Sequence, residues 1–314
     1  MPKLRISVVQ YLNTSPLVWG FTHGLLAGKY DLSFTVPSQC AESLRAGDVD
    51  IAIIPAIEYQ RIDDLVILPD LAIASKRRVR SLLLISKVPL AQAQSIALDR
   101  SSRSTQALTK ILCARHWRIA PQFCEMAPEL GEMLAANDAA LLIGDPALHA
   151  SVAIESAPGF SSGAPSRSDG AIVCDAATLG ISGAGRLYVY DVVEQWRAMT
   201  GLPAVLAVWA ARPAVATPEV VADFHASRAF GLLNLPELCD DAATELQLPA
   251  GELQSYLTNN IDFTLDEENV AGLTKYFAEA VALNLIPEAK PVLLAPGPKS
   301  VVLEGSAMLA KPNR

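Results

Sequence analysis

The sequence predicts an α/β protein built on open, doubly wound sheets. Short, continuously apolar segments recur between residues 4 and 212, and segments with helical spacing of apolar residues lie between them. Continuous apolar runs are typical of strands that are buried on both faces of a parallel sheet. Repetition of strand, helix and strand then predicts a doubly wound arrangement.

The first half of the chain shows this pattern most clearly. Residues 4–12 read as a strand that ends at Asn13-Thr14, and Pro16 falls in the first turn of the following helix, where proline is well tolerated. Pro37-Ser38 can begin a second helix, which Gly47 would end. The further strands predicted in this half are 31–36, 50–55, 71–75 and 80–86.

The second half repeats the pattern around a polar interruption. Ser101 and Ser102 can cap a helix after a strand at 95–99. Residues 150–185 include a Gly-, Pro- and Ser-rich stretch and predict a long exposed loop. Residues 218–285 read mostly as helix. The remaining predicted strands lie near 119–123, before Gly144-Asp145, and at 202–212.

Two long strands, near 80–87 and 203–210, flank the middle of the chain. We expect them to cross between two lobes, which would make the fold bilobal and of the type II periplasmic-binding-protein-like class. In such a fold the ligand lies between the lobes, outside the carboxyl ends of the strands. The predicted division is a discontinuous first lobe, a second lobe and an irregular C-terminal tail, comprising 1–87 with 203–285, 88–202, and 286–314.

The composition argues against several classes of protein. Hydrophobic residues make up 51% of the chain and charged residues 18%, which favours a large core over disorder. The net charge of −8 and the lack of a basic stripe argue against nucleic-acid binding. The N-terminal segment has no signal-peptide core and no long apolar run occurs, so we expect a cytoplasmic protein without a membrane segment.

Several standard catalytic and metal-binding motifs are missing from the sequence. It contains no H-E-x-x-H or P-loop motif. The five cysteines are widely spaced without a C-x-x-C pair, which disfavours disulfides and structural zinc. The sequence therefore implies no metal and no cofactor. The histidines are far apart within predicted helices: His23, His116, His149 and His225.

Polar turns follow four of the predicted strands. Helix N-termini present free backbone N–H groups and the positive end of the helix dipole. Several of them converging on one cleft would bind carboxylates without many basic residues. Any one such turn can also be an ordinary helix cap, but four at the ends of strands favour a binding site. The turns are Asn13-Thr14-Ser15, Pro37-Ser38, Ser101–Thr105 and Gly144-Asp145.

Several segments resemble the chorismate dehydratases, in the same order along the chain. VVQYLNTSPLVWGF resembles the family's (Y/F)-L-N-(T/C)-x-P-L turn, and GDVDIAIIPAIEY is similar to its G-D-(L/V)-D-I-x-x-(I/V)-P-x-x-E-(Y/F) segment. The similarity runs from about Ile6 to Arg212 and continues more weakly to about Leu285. The related naphthoate synthases open with a C-P-N-D-T-F-like turn, so Tyr11-Leu12-Asn13-Thr14 favours the dehydratases. Further matching segments are VRSLLLISKVPL, LDRSSRSTQALTKIL, DAALLIGDPAL and YDVVEQWRAMTGLPAVLAVWAAR.

The resemblance implies a carbon–oxygen lyase of the futalosine route to menaquinone. The implied reaction removes water from chorismate, a small dicarboxylate, and gives 3-[(1-carboxyvinyl)oxy]benzoate without a metal, nicotinamide or flavin. A homodimer is compatible with the sequence. The resemblance implies Asn13 and Ser81 as catalytic residues. The substrate-binding candidates are Tyr11, Thr14, Ser38, Ser102, Arg103, Ser104, Thr105, Gly144 and Asp145.

Several assignments have two interpretations at this stage. Arg103 would either bind a substrate carboxylate through two hydrogen bonds or pair with Asp99 or Asp145. The Asn13 amide cannot act as a base near neutral pH, so the base would be the substrate's own side-chain carboxylate or Glu58. Two other functions fit the same fold: a cytoplasmic solute-binding protein and a 1,4-dihydroxy-6-naphthoate synthase.

Overall fold

The structure, a computed structural model, describes residues 2–158, 170–182 and 185–297. Its strands are β1 (Arg5–Val9), β2 (Asp31–Thr35), β3 (Ile51–Pro55), β4 (Val66–Ser75), β5 (Leu82–Ser86), β6 (Ser95–Asp99), β7 (Gln122–Met126), β8 (Ala139–Ile143), β9 (Ile172–Asp175), β10 (Arg186–Asp191) and β11 (Ala204–Ala211). Its helices are α1 (Ser15–Thr22), α2 (Pro37–Ala46), α3 (Glu58–Arg61), α4 (Arg103–Leu112), α5 (Leu130–Ala136), α6 (Gly144–Glu155), α7 (Val192–Thr200), α8 (Pro218–Leu233), α9 (Leu235–Leu246), α10 (Ala250–Asn259) and α11 (Glu267–Ala282).

The first lobe is built on a five-stranded sheet in the order β2-β1-β3-β11-β4. β1 pairs in parallel with β2 and β3, whereas β11 runs antiparallel to β3 and β4. All five residues of β3 are buried, as expected for a central strand covered on both faces. Because β1, β2 and β3 are parallel, the turns that follow them lie at the same edge of the sheet.

The second lobe is built on a six-stranded sheet in the order β7-β6-β8-β5-β10-β9. β6 pairs in parallel with β7 and β8, and β5 runs antiparallel to β8 and β10. The parallel strands β6 and β8 therefore deliver the N-termini of α4 and α6 to one edge. Together the two sheets confirm the predicted bilobal α/β class.

The chain crosses between the lobes twice, through residues 76–81 and through α7. β5 pairs with β8 and β10, so Leu82–Ser86 belong to the second lobe, and the predicted boundary at residue 87 is wrong. An apolar run predicts a strand but does not identify the sheet that it joins. Asp191 ties the crossings together: Oδ2 accepts hydrogen bonds from the backbone N–H groups of Val79 and Arg80, and Oδ1 accepts from those of Val193 and Glu194.

The region predicted as a long loop, residues 150–185, contains regular structure. α6 continues through Glu155, and β9 pairs with β10 at the edge of the second sheet. Burial of Ala147, Leu148 and Ile154 on one side of α6 explains why the helix continues so far. Much of the Gly-, Pro- and Ser-rich stretch, residues 159–169, lies outside the described residues, as do residues 183–184.

Residues 286–297 of the predicted tail run along β4, the outer strand of the first sheet. Ile67 N donates to Leu293 O (2.8 Å), and Ala295 N donates to Ile67 O (2.8 Å). Tyr59 Oη donates to Pro291 O (2.9 Å) and accepts from Leu293 N (2.9 Å). This segment therefore covers an otherwise open strand edge. The rest of the predicted tail, residues 298–314, lies outside the described residues.

No helix in the described part of the chain has the length and apolar character needed to cross a bilayer. Within the same residues, no three His, Cys, Asp or Glu side chains are grouped so that they could hold a metal ion.

Candidate active site

A cavity of about 50 Å³ lies between the lobes, at the edge where the parallel strands of both sheets end. Apolar side chains from both sheets form much of its wall. Ligand pockets for drug-sized molecules commonly measure about 300–1,000 Å³. The lobes must therefore move apart before a ring-sized ligand can enter. Six of the predicted site residues line the cavity: Tyr11, Asn13, Ser81, Ser102, Thr105 and Gly144.

Asn13 lies in the single turn of 3-10 helix that follows β1. The turn forms because Thr14 N donates to Tyr11 O (2.9 Å), and Pro16 then begins α1. Thr14 is buried behind Asn13, and its hydroxyl donates to Asn13 Oδ1 (3.4 Å). That bond assigns Oδ1 to Thr14 and leaves the Asn13 Nδ2 group to donate. Thr14 therefore orients Asn13 and does not itself line the cavity.

Helix α8 does not line the cavity, but it packs against α1 and so supports the turn that carries Asn13. A Cβ atom on Gly231 would lie 2.1 Å from the carbonyl oxygen of Pro16. Only glycine therefore permits the approach of α8 to the first turn of α1, directly after Asn13.

The N-terminus of α4 forms the wall that the second lobe contributes. Ser102 is the N-cap: its Oγ accepts a hydrogen bond from Thr105 N (3.4 Å) and donates to Thr105 Oγ1 (2.8 Å). The Thr105 hydroxyl keeps its own hydrogen for a further acceptor. Free N–H groups and the helix dipole make this end of α4 suited to an anion.

Ser81 ends the first crossing, directly before β5, and lines the cavity. Its carbonyl oxygen accepts a hydrogen bond from Gly144 N (2.8 Å). Its Oγ accepts one from the hydroxyl of Tyr256 (2.8 Å), a buried residue of α10. Burial raises the pKa of Tyr256 well above its usual range, so the phenol stays protonated.

Tyr256 is a residue that the sequence analysis missed. It lies beside Leu253 and Leu257 on the buried side of α10, and that spacing is the ordinary pattern of a core helix. No polar motif accompanies it. A buried tyrosine does need a partner for its hydroxyl, but the sequence alone does not say which.

Tyr11 and Gly144 bring the two lobes into direct contact beside the cavity. Gly144 has φ of +62°, and a Cβ atom there would lie 2.8 Å from ring atoms of Tyr11. Tyr11 Oη is 3.3 Å from Ser101 Oγ, and Ser101 Oγ donates to Asp99 Oδ1 (2.6 Å). Because Ser101 uses its hydrogen on Asp99, Tyr11 must donate to Ser101. Burial raises the pKa of Tyr11 to about 12.

Three further predicted residues join the lobes but do not line the cavity. Ser38 N donates to Ser101 O (3.1 Å), and Ser104 Oγ accepts from Ile57 N (3.1 Å). Asp145 Oδ1 accepts from Leu12 N (3.1 Å) in the other lobe and makes no capping bond within α6. Burial raises the pKa of Asp145 to about 6.

Arg103 points away from the cavity into a group of charged side chains that we call the Glu58 cluster. The buried carboxylate of Glu58 accepts hydrogen bonds from Arg45 Nη2 (2.5 Å), Arg61 Nη1 (2.8 Å) and Arg103 Nη1 (3.1 Å). Arg103 also pairs with Glu42 (2.6 Å). The cluster consists of Glu42, Arg45, Glu58, Arg61 and Arg103.

The Glu58 cluster bears on two of the sequence interpretations. Arg103 pairs with Glu42 and Glu58, so its predicted pairing with Asp99 or Asp145 is wrong. Arg103 and Thr105 are two positions apart in α4 and therefore point about 200° apart, which explains how Thr105 faces the cavity while Arg103 does not. Glu58 is held by arginines outside the cavity lining, a position that does not suit a base acting on a ligand there.

Comparisons with known proteins agree with this architecture. Residues 4–282 match the family model described as menaquinone biosynthesis. A curated protein from Thermus thermophilus, named chorismate dehydratase, is 30% identical over 289 residues, which are 91% of this chain and 98% of that protein.

Solved structures share the fold at lower identity. A protein from Archaeoglobus fulgidus has a TM-score of 0.67 at 18% identity, with 90% of this chain and 98% of that chain covered. The periplasmic aliphatic sulphonate binding protein from Escherichia coli has a TM-score of 0.57 at 16% identity, with 98% and 99% covered. The match to the family model spans most of the chain. The chain therefore belongs to the menaquinone biosynthesis family.

Proposed function

We propose that this protein is a chorismate dehydratase, which removes water from chorismate to give 3-[(1-carboxyvinyl)oxy]benzoate. The observation that carries the proposal is that Asn13 and Ser81, which come from opposite sides of the inter-lobe boundary, line one cavity with the N-terminus of α4. The name of the Thermus thermophilus relative supports the same substrate.

The cavity groups suit an elimination from a doubly negative ligand. The N-terminus of α4, with Ser102 and Thr105, binds one carboxylate through N–H and O–H donors. Asn13 and Ser81 donate hydrogen bonds to the hydroxyl group that leaves the ring. Charge builds on that oxygen as the C–O bond breaks, and preorganised donors stabilise it more in the transition state than in the ground state.

The proton comes from the ring carbon that bears the carboxyvinyl ether. The side-chain carboxylate of the substrate removes it and passes it to the departing hydroxide, so that one water molecule leaves and the ring becomes aromatic. The position of Glu58 outside the cavity supports this substrate-assisted route. The protein then contributes orientation, exclusion of water and lobe closure.

Incubation of the protein with chorismate tests the proposal. The expected result is an aromatic product lighter than chorismate by one water, detected by absorbance and mass spectrometry. Asn13→Ala and Ser81→Ala should each lower kcat by about 100-fold or more. Ser38→Ala is the matched control, since Ser38 joins the lobes outside the cavity, and its kcat should stay within about threefold of wild type.

Two outcomes would replace the proposal. Binding of chorismate without conversion would favour a solute-binding function, which the fold shared with the sulphonate binding protein accommodates. Conversion of a cyclic futalosine derivative, with chorismate left unchanged, would favour a 1,4-dihydroxy-6-naphthoate synthase.

A further inference from the structure

Tyr256 contributes no atom to the cavity lining, yet it lies directly behind both residues proposed to act on the leaving hydroxyl. Its hydroxyl donates to Ser81 Oγ (2.8 Å). The Asn13 side chain acts on the same hydroxyl and lowers its pKa, against the larger effect of burial. Tyr256 thus binds Ser81 at the start of the second lobe and lies close to Asn13 of the first.

The hydrogen bonds around Tyr256 run in one direction. Thr14 donates to Asn13 Oδ1, so Asn13 presents its Nδ2 group as a donor. Tyr256 then donates to Ser81 Oγ, and Ser81 keeps its own hydrogen for an acceptor in the cavity. Tyr256 and Ser81 each have one hydroxyl hydrogen to give, so the bond from Tyr256 determines how the Ser81 hydroxyl is used. Aligned chains of this kind also polarise one another.

We propose that Tyr256 is a positioning residue that holds the Ser81 hydroxyl as a hydrogen-bond donor toward the oxygen of the leaving hydroxyl group. This rests on the dehydratase function proposed above. Without the phenol, Ser81 Oγ loses its donor partner, and its hydroxyl is free to rotate out of the cavity. An elimination that releases hydroxide needs a donor at this point, since the departing oxygen carries the developing negative charge.

A buried phenol is well suited to this role. Tyr256 is enclosed on all sides, and burial keeps it protonated across the working pH range because its pKa is raised. Its hydrogen is therefore always available to Ser81. The ring is also buried in the core with Leu253 and Leu257 of the same helix, where close packing restricts its movement.

Tyr256→Phe tests the role, because it removes the hydroxyl and keeps the ring. We expect kcat to fall by about 30-fold while KM stays within about threefold, as for a group that acts in the transition state only. Tyr276→Phe is the matched control: Tyr276 is also buried, and its hydroxyl donates to Ser104 O (2.9 Å) away from the cavity. Its kcat should stay within about twofold of wild type.

Two more readouts separate positioning from a general loss of packing. In a double-mutant cycle, Tyr256→Phe added to Ser81→Ala should lower kcat by no more than about threefold further, because the role is exerted through Ser81. A crystal structure of Tyr256→Phe should show the Ser81 side chain in a changed rotamer, and Tyr276→Phe should leave it unchanged. Equal losses of kcat in the two variants, or additive losses with Ser81→Ala, would overturn the proposal.

Failure of the dehydratase function is distinguishable from failure of this role. If the wild-type protein leaves chorismate unchanged, the proposed reaction is rejected and the Ser81 rotamer in the two variant structures decides the matter. A Ser81 side chain that keeps its position in Tyr256→Phe would then reject the positioning role.

Discussion

The two lobes meet both at the cavity and at the Glu58 cluster. The cavity is lined by neutral groups, whereas the cluster consists of charged side chains. The cavity presents neutral hydroxyl, amide and backbone donors, chiefly from Asn13, Ser81 and Ser102. The Glu58 cluster joins the lobes through ion pairs in which Arg103 of α4 reaches Glu42 and Glu58 of the first lobe. Neighbouring residues of one helix turn therefore serve the two regions separately.

The difference has a physical reason. A charged side chain that is buried without a partner is costly, so an arginine waiting in an empty cavity would destabilise the protein. Neutral donors and helix N-termini can bind an anionic ligand, and they carry no such cost when the cavity is empty. Permanent charges are instead paired with each other beside the cavity, where they hold the closed arrangement.

Replacing Glu58 is the change with the largest expected effect on stability. Glu58→Gln removes the charge that three arginines share and leaves those cations crowded. We expect the free energy of unfolding to fall by about 3–5 kcal/mol, measured by urea denaturation. Glu42→Gln, at the exposed edge of the same cluster, should cost about 1 kcal/mol or less.

The same variant decides whether Glu58 is the base. Under conditions in which the variant stays folded, kcat of Glu58→Gln should remain within about threefold of wild type, because the carboxylate does not line the cavity. A folded Glu58→Gln protein with kcat lowered by several orders of magnitude would reject both the substrate-assisted route and the division between the two regions.

Asp145 is a partly buried carboxylate close to the cavity, and its pKa is raised. It has no ion pair among the described residues, and burial raises its pKa to about 6. The folded state therefore binds the Asp145 proton more tightly than the unfolded state does. Its contribution to stability is fully present below about pH 4 and is lost as the pH rises through 6.

Asp145→Asn should remove this pH dependence while keeping an oxygen to accept from Leu12 N. The stability of the variant relative to wild type should rise between about pH 4 and pH 6, by on the order of 2 kcal/mol. Other carboxyl groups with raised pKa values, such as Asp99 and Asp191, are present in both proteins. Their contributions therefore cancel in the difference in unfolding free energy. A difference in unfolding free energy that is flat from pH 4 to pH 7 would contradict the prediction.

Gly144→Ala tests the contact between the lobes at the cavity. The residue has φ of +62°, and the added methyl group would meet the Tyr11 ring at 2.8 Å. We expect a loss of about 1–2 kcal/mol from the backbone conformation and a raised KM, since the ring must move. Gly180→Ala is the matched control, with φ of +68° but open space around it. It should lose similar stability and keep the wild-type KM.

Arg103→Gln has the smallest expected effect. It tests whether Arg103 serves the Glu58 cluster alone or also binds the ligand in the cavity. Loss of the partly exposed ion pairs should lower the unfolding free energy by about 1 kcal/mol. KM for chorismate should rise by less than about tenfold, because the remaining arginines still hold Glu58. A rise of about 100-fold or more, with kcat unchanged, would mean that Arg103 binds a substrate carboxylate.

Much of the fold and part of the site could be predicted from local sequence. The apolar runs marked the inner strands, and the resemblance together with the polar turns brought Asn13, Ser81, Ser102 and Thr105 forward as candidates. The bounds of one strand differ from the prediction: the strand predicted near 119–123 is β7, Gln122–Met126. Pro121 lacks an N–H to give to a sheet, and the strand begins after it.

Other features could not be read from local sequence because they depend on distant partners. Tyr256 has the spacing of a core residue, and only its approach to Ser81, 175 positions away along the chain, gives it a role. Arg103 stands among candidate site residues in the sequence, yet its partners Glu42 and Glu58 turn it away. Asp191, which organises both crossings, lies in a segment that resembles the family, but that segment does not indicate its partners.

The sequence by itself determined the alternation of strand and helix and the polar turns at the strand ends, because burial pattern and turn chemistry are properties of neighbouring residues. The tertiary structure alone decided which sheet β5 joined, which side of α4 faced the cavity, and which carboxylates found arginine partners. Those outcomes depend on contacts between segments that are far apart in the chain. They form only when both lobes are folded and pressed together.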